Sequence, residues 1–375
     1  MKILISALSA HSGGGRAYVE NILQYFPAGD HTLDVLSVTR PTISPEKTNV
    51  RWLRAPNWTR WNISRLMVGR PYFRFRIARC SRYDVIFFAA GTPDISVPTG
   101  TKVALTYHNA SVFSYTHPDY AFGLKLRLKI LSLISTRSFK TADVIICLSQ
   151  YGRSLVDRAA PSRKGKTFIV PHGVSSAKDE PLSAGIVSRL PESFVLYVSP
   201  FHGQKGHVEL LEAWKRMGKK RSRPEKLIFA GGADNPHYFR RVRKKIIELH
   251  LEDEVILLGH VPHDQVNALM RRAKLNVFPS LNENCPITML EIMRARSPLI
   301  ASSAPPMPEI GGPELDYFDP AQIEQTAELI PQYLDDPLRR ERSAEAGYRR
   351  SLHFTWDSAA KETWAAVIAA ASVGK

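Results

Sequence analysis

Short apolar, β-rich runs alternate with amphipathic helical patterns along nearly the whole chain, and that alternation restricts it to parallel α/β architecture. In the first half the runs are Lys2–Leu8, Leu33–Val38, Val85–Ala90, Lys102–Tyr107, Asp143–Leu148 and Thr167–Val170. In the second half they are Phe194–Val198, Lys226–Ala230, Val255–Leu258, Leu275–Phe278, Leu299–Ala301 and Leu315–Phe318. Between the first two runs, Tyr18, Val19, Ile22, Leu23 and Phe26 recur at helical spacing. Further helices are predicted over Gly206–Met217, His237–His250, Asp264–Arg272 and Thr288–Arg296, and the tail from Pro320 onward reads as helical throughout. Ser149 is placed to cap the helix that follows Cys147 and Leu148.

A chain of 375 residues accommodates two domains at about 100–200 residues each. The polar, small-residue stretch from Ser176 to Pro191 separates the two alternating series. The expected organisation is a first Rossmann-like domain over 1–176, a linker over 177–192 and a second over 193–352, with a final helix over 353–375 packing back towards the first. Twin Rossmann-like domains would face each other across a cleft, with ligands gathering at the carboxyl ends of the strands. Lys2 followed by Ile3 to Ala10 is read as a buried first strand rather than a leader, because it runs straight into a glycine cluster and a helical pattern. No apolar run approaches the roughly 18 residues that span a bilayer, so membrane association is expected to be peripheral.

Charge narrows the partners. Lys and Arg total 51 against 35 acids, a formal net charge of +16, which favours nucleotide phosphates, acidic lipid headgroups or nucleic acid. Arginines 51, 54, 60, 65, 70, 74, 76, 79 and 82 follow one another without an intervening acid, interleaved with Trp52, Trp58, Trp61, Tyr72, Phe73 and Phe75. From Phe122 to Lys140, leucines and isoleucines mix with Lys125, Arg127, Lys129, Arg137 and Lys140. Basic, apolar surfaces of this kind suit anionic membrane interfaces; a solvated basic face over buried aromatics is the plain alternative. Cys80, Cys147 and Cys285 are far apart, with no CxxC or Cys/His cluster, which argues against a zinc site or a disulfide framework and for a reduced, cytoplasmic setting.

Three segments carry chemistry. Ser12-Gly13-Gly14-Gly15 follows the first strand and opens the first helix, where glycines admit a close backbone approach and free N–H groups face an anion. Lys205 lies on the Gly-flanked loop 199–206 after a strand, placed to meet a pyrophosphate as a compact charge. In the run from Pro279 to Glu291, Glu283 sits in a loop and Glu291 about one turn inside the next helix, with the backbone of Asn284 to Ile287 between them. Helix-start amides suit phosphate oxygens, and carboxylates suit sugar or ribose hydroxyls.

The run PSLNENCPITMLEIMRARSPLIAS resembles the donor-site signature of retaining glycosyltransferase family four, which has the GT-B fold. Gly13-Gly14 with Tyr18 and Val19, Tyr107-His108-Asn109, Ala142 to Ser149, Val170 to Val174, Lys205, Gly231-Gly232, Gly259-His260-Val261 and Phe354 to Trp356 are similar to family elements in the same order. The resemblance implies a metal-independent hexosyltransferase, acting on a UDP- or GDP-sugar donor and a carbohydrate or lipid-linked acceptor in polysaccharide, O-antigen or glycolipid synthesis. It implies that Gly13 and Gly14 approach the donor and that Lys205 neutralises its pyrophosphate. Glu291 would bind ribose, Thr288 would lie against the nucleoside, and the backbone at His260 and Val261 would border the base. Glu283 and the amides of Asn284 and Cys285 would hold the transferred sugar, with His108 facing it. No metal or other cofactor, and no nucleic acid, is expected. The expected localisation is cytoplasmic, with peripheral association to the inner leaflet of the cell membrane.

Two departures stand out. The family's usual arginine five residues before the lysine is Pro200 here, with Arg16 a candidate replacement, and its glycine-aromatic-glycine after the first glutamate is Asn284-Cys285-Pro286. The rival readings are a nucleotide-sugar epimerase of the same fold and a basic nucleic-acid-binding protein.

Overall fold

The computed structural model describes residues 1–10, 13–27, 29–42, 47–60, 83–114, 122–175, 180–218 and 224–372. Two compact units emerge, one from Met1–Ser114, Phe122–Gly173 and Thr355–Lys375, the other built on Val174–Phe354.

The first unit holds strands β1 (Lys2–Ser6), β2 (Thr32–Ser37), β3 (Val50–Arg54), β4 (Val85–Phe88), β5 (Lys102–Tyr107), β6 (Val144–Cys147) and β7 (Lys166–Ile169). They pair in parallel in the order β3-β2-β1-β4-β5-β6-β7. Its helices include α1 (Gly13–Gln24), α2 (Ser111–Ser114), α3 (Phe122–Thr141) and α4 (Gln150–Ala159). Ser149 caps α4, its hydroxyl accepting from the Gly152 N–H at 2.9 Å.

The second unit begins with the short helix α5 (Ala184–Val187) and holds β8 (Phe194–Val198), β9 (Lys226–Ala230), β10 (Val255–Gly259), β11 (Leu275–Phe278), β12 (Leu299–Ser302) and β13 (Asp316–Phe318). These strands lie in the order β10-β9-β8-β11-β12-β13, again parallel. Helices α6 (His207–Gly218), α7 (Pro236–Glu248), α8 (His263–Arg272), α9 (Ile287–Arg294), α10 (Met307–Gly311), α11 (Ile323–Asp335) and α12 (Pro337–Ser351) complete it. Both sheets are doubly wound and Rossmann-like, as the alternation of runs requires.

All twelve expected strands are present, and β3 is an addition. It pairs with β2 alone at the edge of its sheet, with Arg51 and Arg54 exposed, so it lacks the continuous apolar signature of the central strands. The tail is not one helix but three, because Asp336 precedes a proline and turns to cap α12, accepting from the Arg339 N–H at 2.9 Å. Thr355 then caps the last helix, α13 (Trp356–Ala370).

That last helix completes the core of the first unit. Trp364 is buried against Phe26 and Phe87 and donates from its indole N–H to the Ile22 carbonyl at 2.8 Å. Gly173 makes room for it, since a Cβ there would run into the backbone N–H of Trp356. Removing α13 would therefore strip the apolar cover from α1 and β4.

Candidate functional site

In each sheet the strand order reverses beside one strand: β1 lies between β2 and β4, and β8 between β9 and β11. Loops leaving the carboxyl ends of such neighbours part in opposite directions and open a crevice. Lys205 lies on the loop after β8 and Glu283 on the loop after β11, so the topology joins two residues 78 positions apart.

Those two loops are locked to each other. The Leu281 N–H donates to the Gln204 carbonyl at 2.8 Å, and the Ser280 hydroxyl oxygen lies 3.1 Å from the same carbonyl. The Tyr197 hydroxyl donates to the Lys205 carbonyl at 2.7 Å. Gly206 adopts φ +71°, and a side chain there would collide with the Pro279 carbonyl oxygen. Lys205 Nζ consequently stands 2.5 Å from Glu283 Oε1, with the two side chains only 18% and 14% exposed. The Ser280 hydroxyl donates to the same carboxylate oxygen at 2.7 Å. An ammonium has three N–H donors, and Glu283 occupies one of them.

Beneath this pair lies His207, fully buried, its ring stacked on Phe201 at 4.5 Å and close to Tyr197 at 4.9 Å. Burial, then the charges of Lys205 and His202, push its pKa down to about 3, so the ring is a neutral packing element. Burial likewise lowers His202, again helped by Lys205.

The loop after β11 leads into α9. Pro286 occupies the N-cap position and supplies no side-chain cap, and as an imino acid it interrupts the row of amides expected from Asn284 to Ile287. The first-turn N–H groups of α9 have no intrahelical partners, and the helix dipole adds partial positive charge. Asn284 is buried, while Cys285 and Thr288 are partly exposed beside that helix start. Glu291, one turn further along, has Oε1 3.0 Å from His263 Nε2 at the head of α8. His263 follows Val261 and Pro262 directly, so this contact ties Glu291 to the segment after β10. Val261 buries its side chain in the core, so it offers a ligand its backbone, while His260 is exposed.

In the first unit Gly13 and Gly14 open α1 beside the reversal point, and His108 follows β5. Tyr18, on the helix those glycines begin, meets His108 edge-on at 5.0 Å. His172 stacks on His108 at 5.3 Å and leans against Trp356 at 5.6 Å. Burial pushes the His108 pKa down to about 4, against the opposing effect of a hydrogen bond to the Ala89 backbone, and drives His172 well below its usual value. Both rings are neutral near pH 7. His108 Nε2 and His172 Nδ1 are buried with no hydrogen-bond partner among the described residues.

Ser280, His263, His207 and His172 were not singled out by the sequence reading. The motif containing His172 was visible, but nothing in it tells that its ring stacks on His108. Arg16, the candidate for the charge missing at Pro200, pairs with Glu20 on its own helix at 2.9 Å. Within the arginine-rich stretch, Arg51 is part of the fold: its guanidinium grips Asp34 through two hydrogen bonds of 2.8 and 2.7 Å, and Tyr83 adds a third at 2.6 Å. The stretch from Trp61 to Arg82, with Arg65, Arg70, Arg74, Arg76 and Arg79, lies outside the described residues, as does Cys80. Among the described residues no group of three His, Cys, Asp or Glu side chains is placed to hold a metal ion, and no helix is long and apolar enough to cross a membrane.

Comparison with known proteins agrees with the fold. The profile described as Glycosyltransferase Family 4 matches residues 12–178, and that described as Glycosyl transferases group 1 matches residues 180–350. The O-antigen chain mannosyltransferase B of Escherichia coli is 23% identical over 270 residues, covering 70% of this chain and 69% of that protein. The chain spans about half the length of two other curated relatives it matches. Sucrose-phosphate synthase of Thermosynechococcus elongatus superposes with a TM-score of 0.77 at 21% identity over 97% of both chains. HepE of Anabaena, solved with UDP and glucose, gives 0.69 at 17% identity over 97% of this chain and 98% of its own. With the two profiles together spanning nearly the whole sequence, the chain belongs to the family four, group 1 glycosyltransferases.

Proposed function

We propose that the protein transfers a hexose from a nucleoside diphosphate sugar to an acceptor hydroxyl, with Lys205 and the start of α9 receiving the diphosphate. The observation that carries this reading is the meeting of Lys205 and Glu283 at the reversal point of the second sheet, beside an uncapped helix N-terminus. When the glycosidic bond breaks, negative charge grows on a phosphate oxygen. A fixed ammonium and free amides stabilise that charge without a metal ion, and transfer that survives excess chelator is the expected outcome. Glu291 accepts from the ribose hydroxyls, and Thr288 and the Val261 backbone border the nucleoside. Glu283, with the backbone of Asn284 and Cys285, holds the sugar. His108 supplies an Nε2 lone pair to a sugar hydroxyl, and Gly13 and Gly14 give close backbone approach.

The name of the Escherichia coli relative supports mannose as the sugar and a glycan chain as the product, and the HepE complex supports a nucleotide donor. Departure of the diphosphate on the face from which the acceptor arrives would retain the anomeric configuration. The acceptor is carbohydrate or lipid-linked, and the enzyme works in the cytoplasm at an anionic membrane surface. The relatives reported above are glycosyltransferases, which favours neither an epimerase nor a nucleic-acid-binding reading.

A thermal-shift screen of UDP, GDP and their sugars tests the donor site. A ligand at a hundred times its Kd stabilises by about 2.7 kcal/mol, or roughly 5–10 °C for a unit of this size. One nucleotide should stand out. No shift with any nucleoside diphosphate would overturn the reading.

A further inference from the structure

We propose that one face of α3 is a docking surface for an anionic lipid bilayer. This commits the membrane part of the proposed function to one element and rests on none of its transfer chemistry. Leu126, Ile130 and Leu133 are 48%, 48% and 66% exposed, although each is a side chain that normally seeks burial. At 3.6 residues per turn they fall within about 60° of one another, one stripe along the helix. The other large exposed apolar side chains among the described residues, such as Tyr25, Val187, Ile247, Leu338 and Leu352, stand singly on separate parts of the chain. Isolated exposed residues are ordinary, whereas an aligned set marks a contact surface.

The charges around the stripe name the partner. Lys129 and Lys140 flank it on one side and Arg127 on the other, while Arg137 extends it by a turn. All four are exposed, and none has an ion-pair partner among the described residues. The helix contains no Asp or Glu. An aliphatic stripe bordered, on its own helix, only by cations matches acyl chains beneath anionic headgroups. It carries no aromatic ring for stacking on bases, and a protein partner would have to bring every counter-charge itself.

The helix is anchored well enough to serve. Phe139 is fully buried against Tyr107 and Phe113, and Ser135 and Ser138 face inward beside it. The outer face is thus a surface feature of a seated helix, and substitutions on it should leave the fold intact.

Vesicle flotation tests the proposal, using phosphatidylcholine alone and phosphatidylcholine containing about one third phosphatidylglycerol. The wild-type protein should float with the anionic vesicles only. Each cation at an anionic surface contributes roughly fivefold to partitioning, so Arg127→Gln, Lys129→Gln and Lys140→Gln together should lower it about a hundredfold. Leu126→Ser, Ile130→Ser and Leu133→Ser together should also abolish flotation. Both triple variants should keep the wild-type nucleotide thermal shift, which separates loss of docking from loss of the donor site. Failure of the wild-type protein to float, or undiminished flotation of either variant, would overturn the proposal. So would concentration-dependent dimerisation, in place of flotation, that the serine variant removes, because the stripe would then be a protein interface.

Discussion

Replacing Lys205 by Ala should separate two roles that one ammonium combines. Its Nζ lies 2.5 Å from Glu283 Oε1, and both side chains are more than four-fifths covered. In the transition state, loss of a preorganised positive group beside the departing diphosphate costs about 3–4 kcal/mol, so kcat at saturating donor should fall 10²- to 10³-fold. In the ground state the substitution leaves Glu283 with the Ser280 hydroxyl at 2.7 Å and no cation. A hydrogen bond to a charged group contributes about 2 kcal/mol, which corresponds to a drop in melting temperature of roughly 4–8 °C. Glu283→Gln added to Lys205→Ala removes the stranded charge and should restore much of the melting temperature while leaving turnover depressed. Steady-state kinetics with saturating donor and differential scanning fluorimetry on the single and double variants give both readouts. A Lys205→Ala enzyme that turns over within about threefold of wild type, well short of the effect of such a group, would remove the lysine from the chemistry.

Other substitutions probe the surrounding parts. Glu291→Gln should raise the Kd for the nucleoside diphosphate by about tenfold or more with little change in kcat, because a charged hydrogen bond to ribose is made equally in ground and transition states; calorimetric titration measures it. Gly206→Ala should destabilise by about 1–3 kcal/mol and depress turnover together, since φ +71° and the Pro279 carbonyl leave no place for a methyl group; urea denaturation reports the first. Acid should destabilise the protein well above the carboxylate range. His108 and His207 are held at about 4 and about 3 when folded against 6.5 when unfolded, so the unfolded chain binds more protons in that window. Stability is therefore complete above about pH 6.5 and falls as the pH drops towards 4. In His207→Phe the slope over that range should lessen by about 1.4 kcal/mol per pH unit, and an unchanged slope would show that this ring does not titrate as described.

The sheets were legible because their central strands are continuous apolar runs, as in Val85–Phe88 and Phe194–Val198. β3 escaped because an edge strand can carry Arg51 and Arg54 outward, where they read as part of a basic stretch. The candidate residues were legible one at a time, since a glycine loop, a lysine after a strand and two glutamates across a helix start each have a local chemical meaning. Their assembly was not. That Lys205 touches Glu283 follows from β8 and β11 being neighbours, which no local pattern states. The same holds for His172 against His108 in the first unit and for His263 on Glu291 in the second, where residues far apart in sequence come into contact. The basic character of Phe122–Thr141 was plain, but only the exposure of Leu126, Ile130 and Leu133 shows which side of the helix faces outward.

The central claim is that Lys205 and the start of α9 hold a diphosphate whose ribose reaches Glu291. The most direct measurement is a crystal structure with the nucleoside diphosphate selected by the thermal-shift screen. The account predicts phosphate oxygens within hydrogen-bonding distance of Lys205 Nζ and the first amides of α9, and ribose hydroxyls on the Glu291 carboxylate. A nucleotide bound elsewhere, with Lys205 and Glu291 making no contact to it, would contradict the assignment.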